Sequence, residues 1–122
     1  MEFDTSQFGL RAVLKDYQEE ALKMLWEHPE PQTSRQVWIE VNKRLNDETI
    51  SRASIINFLE AMREDGVLKG EEATGKGGHH WLYNPAMNET GFKVYIAQKV
   101  LGNLERDFPE ETRQAISEIS AA

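Results

Sequence analysis

The sequence predicts a mainly α fold with a small β-hairpin, ordered as a winged helix-turn-helix followed by a long further helix. Three observations carry this. Apolar positions recur at helical spacing in three short segments ahead of Asp65. A Gly-rich turn, Gly75-Lys76-Gly77-Gly78, separates two strand-like runs, and an apolar stripe at four-residue steps follows the second run. Three small helices can bury one another's stripes, leaving the hairpin to close the open side with Trp81 and Leu82.

Taken in order, residues 1–10 carry only Phe3 and Phe8 as large apolar groups and are expected to be frayed. The first helix runs from Leu14 through Tyr17, Ala21, Leu22, Leu25 and Trp26, and His28-Pro29-Glu30-Pro31 ends it, since proline cannot continue the ladder. Thr33 or Ser34 caps a second helix with the stripe Val37, Trp38, Val41 and Leu45. The third helix is capped near Ser51, buries Ile55, Phe58, Leu59 and Met62, and breaks at Asp65-Gly66. Val67-Leu68 open the first hairpin strand. His79 to Asn84 form the return, with Trp81 and Tyr83 on one face and His80 and Leu82 on the other. A long helix over Glu89–Asp107 then presents Phe92, Tyr95, Ile96, Val100, Leu101 and Leu104, and Pro109 starts a last helix through Ile116 and Ile119.

Length and composition bound the function classes. At 122 residues the chain holds one core, divided here into a DNA-binding domain over residues 1–86 and a helical dimerisation segment over 87–122. No apolar run approaches a membrane span and the start lacks a signal-peptide pattern, so a cytoplasmic location is expected. The absence of cysteine excludes disulfides and thiolate metal sites. Net charge is −7, which opposes bulk attraction to nucleic acid. The excess is uneven: residues 1–32 hold 3 basic and 7 acidic side chains, whereas 33–50 hold 3 of each and 51–88 hold 4 and 5. The middle of the chain is therefore close to neutral.

The third helix carries the most specific chemistry. With Ile55 set toward the core, steps of 100° per residue turn Ala53, Asn57 and Glu60 outward, with Ser54, Ile56 and Ala61 on the shoulders. Small residues there let the backbone approach a major groove. Asn57 suits an adenine edge, Arg52 a guanine or a phosphate, and Ile56 a thymine methyl. Ser51 and the free amides of the helix start favour a phosphate. Thr33, Ser34 and Arg35 offer a second backbone position, and Lys76, Gly77 and His79 form a wing that touches the adjacent backbone. Glu60, Glu71 and Glu72 would repel phosphate if they came close. Adjacent strand residues face opposite ways, so His79-His80 is no shared metal site; a wing contact for His79 and packing for His80 are expected. There is no HExxH, nucleophile elbow or Walker loop, and neither enzyme activity, metal nor cofactor is expected. The stripe Phe92, Tyr95, Ile96, Val100 and Leu104 is expected to pack against a second copy.

Residues 14–108 resemble the penicillinase and methicillin-resistance repressor family of winged-helix regulators. The matching features are Leu25-Trp26-Glu27, the opening Ser51-x-x-Ser54-Ile55, Asp65-Gly66-Val67-Leu68 and Trp81-Leu82-Tyr83-Asn84-Pro85 with the helix after it. The resemblance implies a homodimeric repressor on a palindromic operator, with Ser51, Arg52, Ser54 and Asn57 facing double-stranded DNA and Gly75–Gly78 as the wing. The chain departs from that family in lacking the cysteine pairs of its copper-responsive members, and its recognition helix has Arg52-Ala53 in place of lysines. A winged-helix module that binds protein rather than DNA is the alternative the negative charge supports.

Overall fold

The helix that opens with Ser51 is defined at both ends by the chemistry of its termini. A computed structural model describes residues 2–75 and 78–122, the side chains at 75, 78 and 79 excepted. The chain forms two compact units, Met1–Glu89 and Thr90–Ala122.

In the first unit, α1 spans Asp16–Glu27, β1 Gln32–Thr33, α2 Ser34–Arg44, α3 Arg52–Glu64, β2 Leu68–Gly75 and β3 Gly78–Pro85. A single 3-10 turn at Gly9–Ala12 precedes α1, and the backbone N–H of Asp4 donates to the Ala12 carbonyl at 2.6 Å. Leu14 is buried but lies ahead of α1, two residues short of its first turn, which the Gln18 carboxamide caps by accepting from the Lys15 N–H at 2.9 Å. Phe3 and Phe8 stay exposed, at 57% and 91%.

Thr33, rather than Ser34, caps α2. Its hydroxyl accepts from the Gln36 N–H at 3.1 Å while its own N–H donates to the Gln36 carboxamide at 2.8 Å, a reciprocal capping box. The turn from α2 to α3 is held from the inside: Asn42 accepts from the Ile50 N–H at 2.8 Å, and the Trp38 indole donates to the Ile50 carbonyl at 2.8 Å. Ser51 then caps α3 by accepting from the Ser54 N–H at 3.1 Å. At the other end Gly66 takes φ 82°, a left-handed conformation natural to glycine, and the Val67 N–H reaches back to the Met62 carbonyl at 2.9 Å. That reversal sends Val67 and Leu68 into the core.

The core is the shared interior of the three helices: Ala21, Leu22, Met24 and Leu25 of α1, Val37 and Val41 of α2, and Ile55, Phe58, Leu59 and Met62 of α3. A three-stranded antiparallel sheet, ordered β1-β3-β2, covers it. Two features correct the sequence reading. The two-residue β1 pairs Gln32 with Tyr83 and Thr33 with Leu82, a strand too short for any alternation to announce. The side chain that closes the core from the sheet is Tyr83, at 2% exposure, while Trp81 and Leu82 are only half-buried. Trp81 and Leu82 cannot share that task because neighbours on a strand face opposite ways. The Trp26 indole donates to the Met87 carbonyl at 3.0 Å, anchoring the end of α1 to the segment that leaves β3.

In the second unit, α4 continues from Glu89 to Asp107 and α5 spans Pro109–Ala121. Proline stands at the first position of α5, and Arg113 reaches Glu105 of α4 at 2.7 Å. Among the described residues no helix is long and apolar enough to cross a membrane.

Candidate nucleic-acid interface

The outward face of α3 is small, polar and uncommitted. Ser51, Arg52, Ala53, Asn57 and Ala61 are exposed; Ser54 and Ile56 are half-buried shoulders. Ser51 donates its hydroxyl to the Ser54 hydroxyl at 2.9 Å, which adds a second link across the first turn to the cap. The N–H groups of Arg52 and Ala53 head the helix and have no carbonyl one turn back to reach. Among the described residues Arg52 and Arg35 make no ion pair, which leaves both guanidinium groups available to an outside anion.

The start of α2 supplies a second group. Thr33 and Ser34 are half-buried and Arg35 is exposed. The Thr33 hydroxyl and N–H are already engaged in the capping box, so Ser34 and Arg35 are the freer members of that set. At the hairpin, the β2–β3 register runs to Gly75 opposite Gly78, with Thr74 opposite His79. Lys76 and Gly77 lie outside the described residues, as does the side chain of His79. His80 is exposed, which corrects the expectation that it packs: it stands opposite Ala73 in the outer part of the hairpin.

Glu60 is placed differently from the helical-wheel reading, and the difference matters electrostatically. It is half-buried on the shoulder toward the sheet, not on the open face. One carboxylate oxygen accepts from the Tyr83 hydroxyl at 3.0 Å and the other from the Arg63 Nε at 2.8 Å. Burial, reinforced by the hydrogen bond to Glu60, pushes the Tyr83 hydroxyl well above the usual phenol range. Arg63 in turn lies over the Trp81 ring, 4.4 Å from its centre. The Glu60 carboxylate is thus paired with groups of the protein itself. Glu71 and Glu72 remain exposed on β2.

One surface feature was not legible beforehand. Ser54, Asn57, Phe58, Ala61 and Met62 face Val13, Leu14, Tyr17 and Gln18 across a groove of about 310 Å³, and Tyr17 meets Phe58 edge-on at 6.2 Å. Helical spacing in either segment gives no sign that the start of α1 comes to lie beside the outward shoulder of α3. Among the described residues no group of three or more His, Asp or Glu side chains is placed to hold a metal ion.

On α4, Phe92 and Ile96 are buried within the single chain, at 0% and 9% exposure, and Tyr95 and Val100 are half-buried. The exposed apolar groups of the second unit are Val94 at 52%, Leu101 at 45%, Leu104 at 38% and Phe108 at 50%, with Ile116 and Ile119 on α5.

No family model matches the chain, and no curated protein matches it in sequence. Its fold is similar to solved structures. A proposed transcriptional regulator of Thermoplasma acidophilum, TA0346, superposes with a TM-score of 0.52 at 18% identity, over 81% of this chain and 90% of that one. A cysteine-to-serine mutant of ZitR from Lactococcus lactis gives 0.47 at 18% identity, over 98% of this chain and 80% of that one. The first of these likenesses, with the order of helices and hairpin described above, shows a winged helix-turn-helix fold.

Proposed function

We propose that the chain is a sequence-specific DNA-binding transcription regulator that acts without catalysis or cofactor, as a homodimer on an inverted-repeat operator. The observation that supports this best is the exposed face of α3, where Arg52 and Asn57 stand uncommitted beside small residues and a capped helix start. Such a face can enter a major groove without first breaking an internal contact. Arg35 and Ser34 at the start of α2 would hold the flanking phosphates, and the hairpin would serve as the wing. Pairing of Glu60 with Arg63 and Tyr83 offsets part of the carboxylate charge beside that face.

The dimer seam in this reading is the exposed series Val94, Ala97, Leu101, Leu104 and Phe108, whose alternating steps of three and four residues match a helix-pairing seam. Phe92 and Ile96, also in the stripe expected from sequence, are buried within the single chain and would support the seam from behind. A repressor of the penicillinase-repressor kind, cytoplasmic in location, fits the resemblance and the proposed symmetry.

A winged-helix module that binds protein is favoured instead by the net charge of −7 and by exposed Glu71 and Glu72. Selection from a pool of random-sequence duplexes at two salt concentrations separates the readings. Enrichment of an inverted repeat with half-sites one helical turn apart supports the DNA reading, as does affinity that falls steeply with salt. Retention of no duplex even at low salt transfers the assignment to protein binding.

A further inference from the structure

The chain Tyr83–Glu60–Arg63–Trp81 links the recognition helix to the root of the wing, and its geometry is specific. Glu60 and Arg63 stand one turn apart on α3, and Trp81 and Tyr83 stand two residues apart on the same face of β3. One carboxylate is shared by a phenol at 3.0 Å and a guanidinium at 2.8 Å, and that guanidinium covers the indole at 4.4 Å. The space for this stacking is made by a glycine on the neighbouring strand. Gly70 lies opposite Tyr83 in the β2–β3 register, and a Cβ there would run into Arg63 Cδ and meet Trp81 Cε3 at 3.1 Å. Two α3 side chains, two β3 side chains and one β2 glycine therefore depend on one another.

We propose that Glu60 and Arg63 are positioning residues that lock the wing against the recognition helix, so that both reach one DNA duplex in a fixed relative register. This rests on the DNA reading above. Buried Val67, Leu68 and Tyr83 and the pairing with β1 hold the base of the hairpin; without the lock its outer part would move more freely against α3, and DNA binding would have to restrict that motion as part of its cost.

The direction of one mutational effect separates this role from simple electrostatics. Glu60→Ala removes a negative charge near the proposed interface, so charge alone predicts tighter duplex binding. Loss of the lock predicts weaker binding, by about tenfold, comparable with one charge-assisted hydrogen bond. Gly70→Ala alters no charge and is expected to weaken binding by a similar factor, because it forces Arg63 from the indole. Glu60→Gln retains a side chain that can bridge Tyr83 and Arg63, and should recover most of the affinity.

Duplex affinity, measured against the random-sequence pool at low salt, is paired with amide hydrogen exchange over residues 68–85. The proposal expects faster exchange there in Glu60→Ala and Gly70→Ala, with α1 and α2 unchanged. Unchanged or tighter binding in both variants overturns the positioning role, and unchanged exchange in the hairpin overturns the lock. Should wild-type protein bind no duplex, the DNA reading fails, and hydrogen exchange still decides whether the four residues hold the wing. If Glu60→Ala does not fold, Gly70→Ala and Glu60→Gln carry the same comparison.

Discussion

Replacing Leu101 with glutamate tests the proposed seam on α4 more sharply than any change to α3. Leu101 is 45% exposed in the single chain, so an apolar partner has roughly half of its surface left to cover. Full burial of a leucine is worth about 1.5–3 kcal/mol, which leaves about 1 kcal/mol to be gained per copy. A glutamate at the same place forfeits that gain, and bringing its carboxylate against an apolar seam costs about 1–3 kcal/mol more. Two-fold symmetry counts each substitution twice, giving about 4–8 kcal/mol per dimer, or at least about a thousandfold in the dimer dissociation constant. Sedimentation equilibrium at micromolar concentration should show wild-type dimer and mutant monomer, with the melting of the Met1–Glu89 unit largely preserved. An unchanged dimer mass in Leu101→Glu and in Leu104→Glu would refute the seam. A wild-type monomer would refute the homodimer itself.

Other outcomes follow from the termini and the buried phenol. Arg52→Ala should weaken duplex binding by about 1–3 kcal/mol if it reads a base, or lower the salt slope by about one if it holds a phosphate. Its melting temperature should be unchanged, since no internal partner is lost; a large drop would make Arg52 structural. Thr33→Ala removes the α2 capping box and should cost about 1 kcal/mol, seen as a fall of a few degrees in thermal melting. The Tyr83 hydroxyl titrates higher in the folded chain than in the unfolded chain, so the folded form binds more protons at alkaline pH and stability falls as pH rises above 10, the ordinary phenol value. Tyr83→Phe should flatten that alkaline limb in denaturant titrations, and an unaltered limb would mean that another group controls it.

Much of the fold was legible because local chemistry and tertiary need agree. Ser51 is a good cap in any context, Asp65-Gly66 is a good stop, and glycines at 75, 77 and 78 mark a reversal whatever surrounds them. Where the sequence reading went astray, the deciding information was the position of a distant element. Glu60 sits 140° from Ile55 on a helical wheel, which reads as exposed until β3 brings Tyr83 alongside. On α4 two apolar stripes, one through Phe92 and Ile96 and one through Val94 and Leu101, satisfy the same period, and only burial distinguishes them. The Asn42 and Trp38 contacts to Ile50 that fix the turn before α3 reach across 8 and 12 residues. No spacing rule signals them.

Among the described residues, the strand order β1-β3-β2 leaves β2 with one unpaired side. A bare strand edge is a template on which another molecule's strand can add, and repeated addition leads to fibrous aggregates. Lys69, Glu71 and Glu72 stand exposed on that strand. Two copies approaching edge to edge would have to crowd four glutamates together, counting Glu71 and Glu72 twice, and strip water from them. The carboxylates that would do least for the proposed encounter with DNA would therefore discourage concentrated protein from associating through this strand. Neutralising them to strengthen DNA binding would carry a risk of insolubility.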